Sequence, residues 1–265
     1  MKKFTLIGLI AILALTFVGC GQNESNNNVI RIGVSPEPHG RIVELVKDDL
    51  EKEGITLEIE EFTDYVAPNL ALADGDLDAN FFQHEPYLNN FNEERGTNLV
   101  SIGGVHIEPM GLYSSKYKSI DEIEYGAEIA IPNDGTNGGR ALLLLAEAGI
   151  ITLDENAGIL ATEKDIVDNP KNLKFTPLEA AQLPRIVDSV DGAIINGNYA
   201  LEAGLVPTKD AILLEGKDSP YANIVAVRAG EENEVKFKKL MEALQSDEVR
   251  EFIEENYEGG VVPAF

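Results

Sequence analysis

The stretch EIAIPNDGTNGGRALLLLAEA, residues 128–148, decides the fold. Glu128 to Ile131 is a short apolar run of strand length, and Arg140 to Ala148 is rich in strong helix formers. The segment between them, Pro132-Asn133-Asp134-Gly135-Thr136-Asn137-Gly138-Gly139, has loop composition and opens directly into the helix. A strand that passes through a Gly-rich loop into a helix is one βα unit. Such units in series imply mostly parallel sheets covered by helices.

The same alternation extends in both directions. Upstream, Val29 to Val34 reads as a strand. Ile42, Val43, Val46 and Leu50 then recur at helical spacing, with Gly54 placed to end the helix. Ile55 to Phe62 alternates as a strand, Ala67 to Ala73 reads as a helix, Leu77 to Phe82 as a short strand, and Ile102 to Ser114 as one strand-like stretch. Downstream, Leu173 to Thr176, Glu179 to Val190 and Gly192 to Ile195 repeat strand, helix, strand. Ala211 to Leu214 and Ile224 to Val227 are further strands, and Glu234 to Asn256 is helical with a break near Ser246. This is long for a single sheet and reads as two α/β lobes, joined by crossings near Tyr113 and Asn223.

The chain begins with a different kind of segment. Lys2 and Lys3 precede an uncharged apolar run from Phe4 to Val18, Gly19 follows, and Cys20 opens a polar stretch. A basic start, an apolar run and a small residue describe a secretory signal, and the run is short of the about 20 residues that span a bilayer. Cys20 is the only cysteine, so it forms no intrachain disulfide. Its place after Leu15-Thr16-Phe17-Val18-Gly19 resembles a lipobox, which makes Cys20 the expected lipidation site. The expected organisation is a lipoprotein signal peptide over 1–19 and a flexible tether over 20–28, with the mature protein held at the outer face of the cell membrane.

Charge excludes one class of partner. With 46 acidic against 21 basic residues the formal charge is −25, which repels nucleic acid. A hydrophobic content of 44% is ample for packed cores.

Ligands of open α/β sheets bind beyond the carboxyl ends of strands. That rule selects Gln83-His84-Glu85-Pro86-Tyr87, the Gly-rich loop with Arg140, Asn196-Gly197-Asn198-Tyr199, and Ser219 to Asn223. Glycines and an arginine at a helix start suit an anion, and one arginine suits a carboxylate better than a triphosphate. The loop carries no Gly-Lys-Ser/Thr and lacks dinucleotide-binding spacing. The alternative for Arg140 is a surface arginine beside a tight turn. Phe82, His84 and Tyr87 read either as an aromatic wall around an apolar or thioether side chain or as core packing. A metal is not expected: His84-Glu85 has no second histidine four residues on, Pro86 breaks a helix there, and only His39 and His106 remain. No cofactor is implied. No Gly-x-Ser-x-Gly elbow is present, which favours capture over catalysis; the rival class is a membrane-tethered enzyme on an amino-acid-like substrate.

Six motifs in order carry a resemblance over about Ile30 to Phe265. They are Asp64-Tyr65-Val66-Ala67-Pro68-Asn69, Phe82 to Leu88, Ile131 to Asp134, Gly139 to Leu144, Glu179 to Arg185 and Ser219-Pro220-Tyr221. Together they resemble the methionine-binding lipoproteins of the MetQ/NlpA family. The resemblance implies an α/β, two-lobed, periplasmic-binding-protein-like (type II) fold with the ligand cleft between lobes: 29–112 plus 224–265 as lobe 1, and 113–223 as lobe 2. It implies a lipid-anchored binder of L-methionine that serves the permease and ATPase of an ABC importer. Residue by residue, Tyr65, Phe82, His84 and Tyr87 would wall the methionine side chain, Arg140 would clamp the carboxylate, and Asn196 and Asn223 would contact the backbone groups. The family also includes binders of methionine-containing dipeptides or other small amino acids, which remain alternatives here.

Overall fold

Residues 28–216 and 219–265 are described by a computed structural model. The signal peptide, Cys20 and the tether through residue 27 lie outside the described residues.

The chain first lays down β1 (Val29–Val34), β2 (Thr56–Glu61), β3 (Ala79–His84) and β4 (Leu99–Ile107). Helices Arg41–Lys52, Ala67–Asp74 and Glu85–Arg95 connect them. In the first helix the apolar positions Ile42, Val43, Val46 and Leu50 are the buried ones. Each such side chain contributes about 1.5–3 kcal/mol by leaving water. Gly54, at φ 81°, turns the chain just past the helix end, where a side chain would be strained. β1 pairs in parallel with both β2 and β3, as helical crossovers require.

The expected single strand over 102–114 is two strands in two sheets. β4 ends at Ile107 and β5 (Gly111–Tyr113) starts the second sheet. Pro109 between them has no N–H to offer a ladder, and pairing stops there. The second sheet continues with β6 (Glu128–Pro132), and a small hairpin of β7 (Thr152–Leu153) and β8 (Ile166–Asp168) follows. Next come β9 (Lys174–Leu178), β10 (Gly192–Ile195) and β11 (Leu213–Leu214). Then β12 (Ala222–Arg228) rejoins the first sheet and β13 (Val262–Pro263) closes its edge.

The strand orders are β13-β4-β12-β3-β1-β2 and β11-β5-β10-β6-β9. Each sheet places three parallel strands beside one antiparallel strand, β12 in the first and β5 in the second. Those two strands are the ones entered from the opposite lobe. The crossings therefore run between Ile107 and Gly111 and between Leu214 and Ala222, side by side at equivalent places in the two lobes.

Helices Val235–Leu244 and Asp247–Tyr257 pack on the first sheet, where Phe237, Leu240, Val249 and Ile253 share a core with Ile30, Ile32 and Phe81. Ser246 separates them and caps the second, its hydroxyl accepting the Val249 N–H. A second core of Leu112, Ile129, Ile131, Leu142, Leu145 and Ile194 underlies the other sheet. The helix expected over 179–190 shrinks to two turns, Ala180–Gln182 and Leu183–Ile186. Pro184 cannot extend a preceding turn and starts a new one.

Candidate functional site

The Gly-rich segment is not a loop before a helix but the helix itself. Gly135–Glu147 is helical, and Asp134 caps it by accepting the Asn137 N–H at 2.9 Å. The Gly138 N–H already donates to the Asp134 carbonyl. The expectation of free N–H groups cradling an anion is therefore corrected: the aspartate occupies that position. The glycines serve close approach. A Cβ at Gly139 would lie 2.3 Å from the Ile159 carbonyl oxygen, and one at Gly138 would lie 2.8 Å from that of Pro132.

Arg140 thus stands in the second turn and acts through its side chain alone. It is buried, not on a rim. Its Nε donates to Glu215 at 3.0 Å, and its Nη2 donates to the Glu108 carbonyl at 2.8 Å and to the other Glu215 oxygen. The guanidinium lies 4.3 Å from the Tyr221 ring centroid. Among the described residues Nη1 has no partner, so one arm of the fork remains for a ligand.

On the first lobe, β3 and the segments beside it raise an aromatic wall. Tyr65 stands 5.9 Å from Phe82 and 5.8 Å from Tyr87 between ring centroids, and His84 stands 6.2 Å from Tyr87. His84 caps helix Glu85–Arg95, its Nδ1 accepting the Tyr87 N–H at 3.1 Å. The proton must then sit on Nε2, which donates to Asn137 at 3.2 Å. Burial, helped by the Arg140 charge, lowers the His84 pKa to about 3, so the ring is neutral. Tyr65 reaches across to the second lobe, its hydroxyl donating to Asn198 Oδ1.

The second lobe supplies amides. Asn196 Nδ2 donates to Asn137 at 2.8 Å, while its buried Oδ1 has no partner among the described residues. A buried acceptor left open is costly unless something fills it. Asn198 is already engaged by Tyr65 and Glu202. Tyr65, Phe82, His84, Tyr87, Arg140, Asn196 and Asn223 all line one cavity of about 320 Å³ between the lobes. Gln83, Glu108, Asn137, Gly197 and Asn198 complete it.

Glu108 and its surroundings escaped sequence reasoning. His39 and His106, 67 positions apart in the chain, both point Nε2 at Glu108 Oε1, at 3.2 and 2.7 Å. His39 Nε2 also faces Asn223 Oδ1 at 3.0 Å. Burial lowers their pKa values to about 4 and about 3, so both rings are neutral and donate from Nε2. The three groups offer atoms within 4.8 Å of one another, which a metal could use. Metal-bound imidazoles almost always donate from their other nitrogen, yet both Nδ1 atoms are buried without partners among the described residues. The arrangement fits a carboxylate held by the His106 N–H, with the neutral His39 ring, bonded to Asn223, packed beside it.

An aromatic wall, a cation, a carboxylate and open amides can together hold a small zwitterion with an apolar side chain. The family model described as NlpA lipoprotein matches residues 30–265. The chain is 46% identical to the D-methionine-binding lipoprotein MetQ of Salmonella typhimurium, covering 98% of this chain and 97% of that protein. Among solved structures it is similar to a nutrient binding protein from Burkholderia cenocepacia bound to methionine, at 49% identity and a TM-score of 0.86, across 89% of this chain and all of that one. It is also similar to an ABC transporter periplasmic substrate-binding protein from Coxiella burnetii, at 46% identity and a TM-score of 0.85, with coverage of 89% and 100%.

Proposed function

The chain belongs to the NlpA lipoprotein family, and on that premise we propose that it captures L-methionine outside the membrane and delivers it to the permease and ATPase of an ABC importer. It is a binding protein and not an enzyme. The observation that carries this reading is one cavity between the lobes lined by Arg140 together with Tyr65, Phe82, His84 and Tyr87. The cation takes the ligand carboxylate through its open arm, and the rings surround the thioether, where sulfur–aromatic contacts contribute about 0.3–1.5 kcal/mol each. Asn196 and Asn223 contact the ligand's backbone groups.

Lobe 1 carries the six-stranded sheet and lobe 2 the five-stranded sheet, so the two crossings, Ile107 to Gly111 and Leu214 to Ala222, form the hinge, and ligand draws the lobes together. Cys20 carries the lipid, holding the protein at the outer face of the cell membrane. Mass spectrometry of protein purified without refolding, followed by calorimetry with L-methionine, D-methionine and glycyl-methionine, tests the reading. A stoichiometric, unchanged L-methionine supports it. No binding of any of the three, or conversion of methionine to product, overturns it.

A further inference from the structure

Glu108 is the one carboxylate among the described residues that line the cavity. It stands in the first crossing, the first residue beyond β4. Its Oε1 takes the imidazoles of His39 and His106 from beneath. The backbone N–H of Asn198, at the start of the second-lobe helix Gly197–Glu202, also faces its carboxylate. Gly197 packs so closely that a Cβ there would lie 2.6 Å from Glu108 Cβ and 3.0 Å from Oε2. The carboxylate is therefore fixed from both lobes while it borders the cavity, and an ionised carboxylate has about four acceptor sites. Apart from the open amide acceptor of Asn196, Glu108 is the group among the described cavity residues that can answer the positive end of an amino acid. The same residue also orients the opposite pole, because its carbonyl accepts from Arg140 Nη2 at 2.8 Å.

Building on the methionine-binding reading, we propose that Glu108 receives the ligand's ammonium group, and that His39 and His106 are positioning residues that hold its carboxylate ionised and aimed. Two neutral imidazoles suit this task better than a lysine or arginine would. His106 donates a hydrogen bond to the carboxylate, and His39, bonded to Asn223, stands 3.2 Å from it; neither neutral ring cancels its charge, so the ammonium meets a full negative pole. Burial raises the Glu108 pKa from its ordinary value, and His39, Arg140 and the Asn198 N–H oppose that rise. Ammonium binding needs the ionised form, so affinity is present above the pKa of Glu108 in the empty site and is lost as pH falls through it. The loss begins above the ordinary carboxylate range. The other titratable and charged groups around Glu108 are His39, His106, Arg140, Glu202, Tyr65 and Tyr257. Glu202 is raised as well, to about 7, by burial.

Calorimetry with two probes, L-methionine and the same molecule lacking its amino group, separates these groups. Native protein should prefer L-methionine, and Glu108→Gln should weaken L-methionine by roughly 10- to 100-fold, as for a lost hydrogen bond to a charged group. The des-amino probe should not weaken and should gain affinity, since no charged contact is removed from it and a buried, unanswered carboxylate is. L-methionine should lose affinity as pH falls through the Glu108 midpoint, whereas the des-amino probe should lose it only where its own carboxyl protonates, and His106→Leu should move the L-methionine midpoint upward by removing an N–H donor from the carboxylate. Thermal unfolding confirms that each variant is folded; if His106→Leu is not, His106→Phe serves in its place. Equal losses for both probes in Glu108→Gln, or an acid midpoint common to both, would overturn the proposal. Failure of native protein to bind L-methionine at all would instead overturn the functional reading.

Discussion

Arg140 offers the most exacting test of the site, because it serves ligand and fold at once. Arg140→Met keeps most of the stem's volume and removes the charge. Glu215, with a tenth of its side chain exposed, then loses a two-point ion pair. Removing one member of a buried pair costs about 3–5 kcal/mol. Glu215 lies in the second crossing and can turn toward water, so the lower end, about 3 kcal/mol, is expected. For a protein of this size that lowers the unfolding midpoint by roughly 6–12 °C. Methionine affinity should fall roughly 30- to 5,000-fold, the cost of leaving a desolvated carboxylate without its partner. Glu215→Gln alone should bind methionine no more weakly than native, since it leaves the fork in place and removes a competing negative charge. The double variant separates the two roles: stability should recover by about 2 kcal/mol, because no unpaired charge remains, while affinity stays low. Calorimetry and thermal unfolding on the four proteins complete the cycle. A double variant that regains affinity along with stability would show that Arg140 is a structural residue and that the ligand carboxylate is held elsewhere.

Gly197→Ala should leave the lobes folded but weaken methionine binding, because the new Cβ meets Glu108 Cβ at 2.6 Å when the lobes are closed; calorimetry with native-like circular dichroism checks it, and unchanged affinity would mean that this contact yields freely. Tyr65→Phe removes the hydroxyl bond to Asn198 between the lobes, and affinity should fall roughly 2- to 10-fold, the worth of one neutral hydrogen bond. Cys20→Ala should release the protein from membranes in a fractionation experiment, and normal retention would count against lipidation there. Methionine should reduce the radius of gyration in small-angle scattering if closure turns on the two crossings, and crystals grown without ligand distinguish a closed empty state from the lack of a hinge.

Much of this architecture is local and therefore legible. The run 128–148 announces a βα unit because apolar strand, breaker-rich loop and leucine-rich helix succeed one another within 21 residues. The aromatic wall was legible for the same reason: Phe82, His84 and Tyr87 lie within one strand end and helix start. Two readings failed where one local signal hid another. Gly138 and Gly139 have loop composition, but their lack of side chains serves the approach of Pro132 and Ile159 backbones, which no sequence pattern records. Pro109 was the overlooked signal in the stretch 102–114. Ending β4 at Ile107 puts Glu108 at the carboxyl end of a strand, where the strand-end rule would have selected it.

What stayed illegible was long-range pairing, and its location follows from the topology. The carboxyl ends of the parallel strands face the cavity, so the crossings that enter β5 and β12 must pass its floor. Each crossing carries an acid, Glu108 at the cavity in the first and Glu215 behind Arg140 in the second, and Arg140 bonds to both residues. On the proposed reading, the groups that would bind ligand are tied to the segments that would bend for the lobes to part. Opening the cleft would then move Gly197 and Asn198 away from Glu108 and break the Tyr65 bond to Asn198, exposing a carboxylate and amides that water can satisfy. Closing it around a ligand without an ammonium group returns the carboxylate to a buried site with one pole unanswered, at a cost of about 1–3 kcal/mol for each polar group left unpaired. Selectivity for a zwitterion and coupling of capture to closure are then one property of the hinge, and a substitution at Glu108 should change both together.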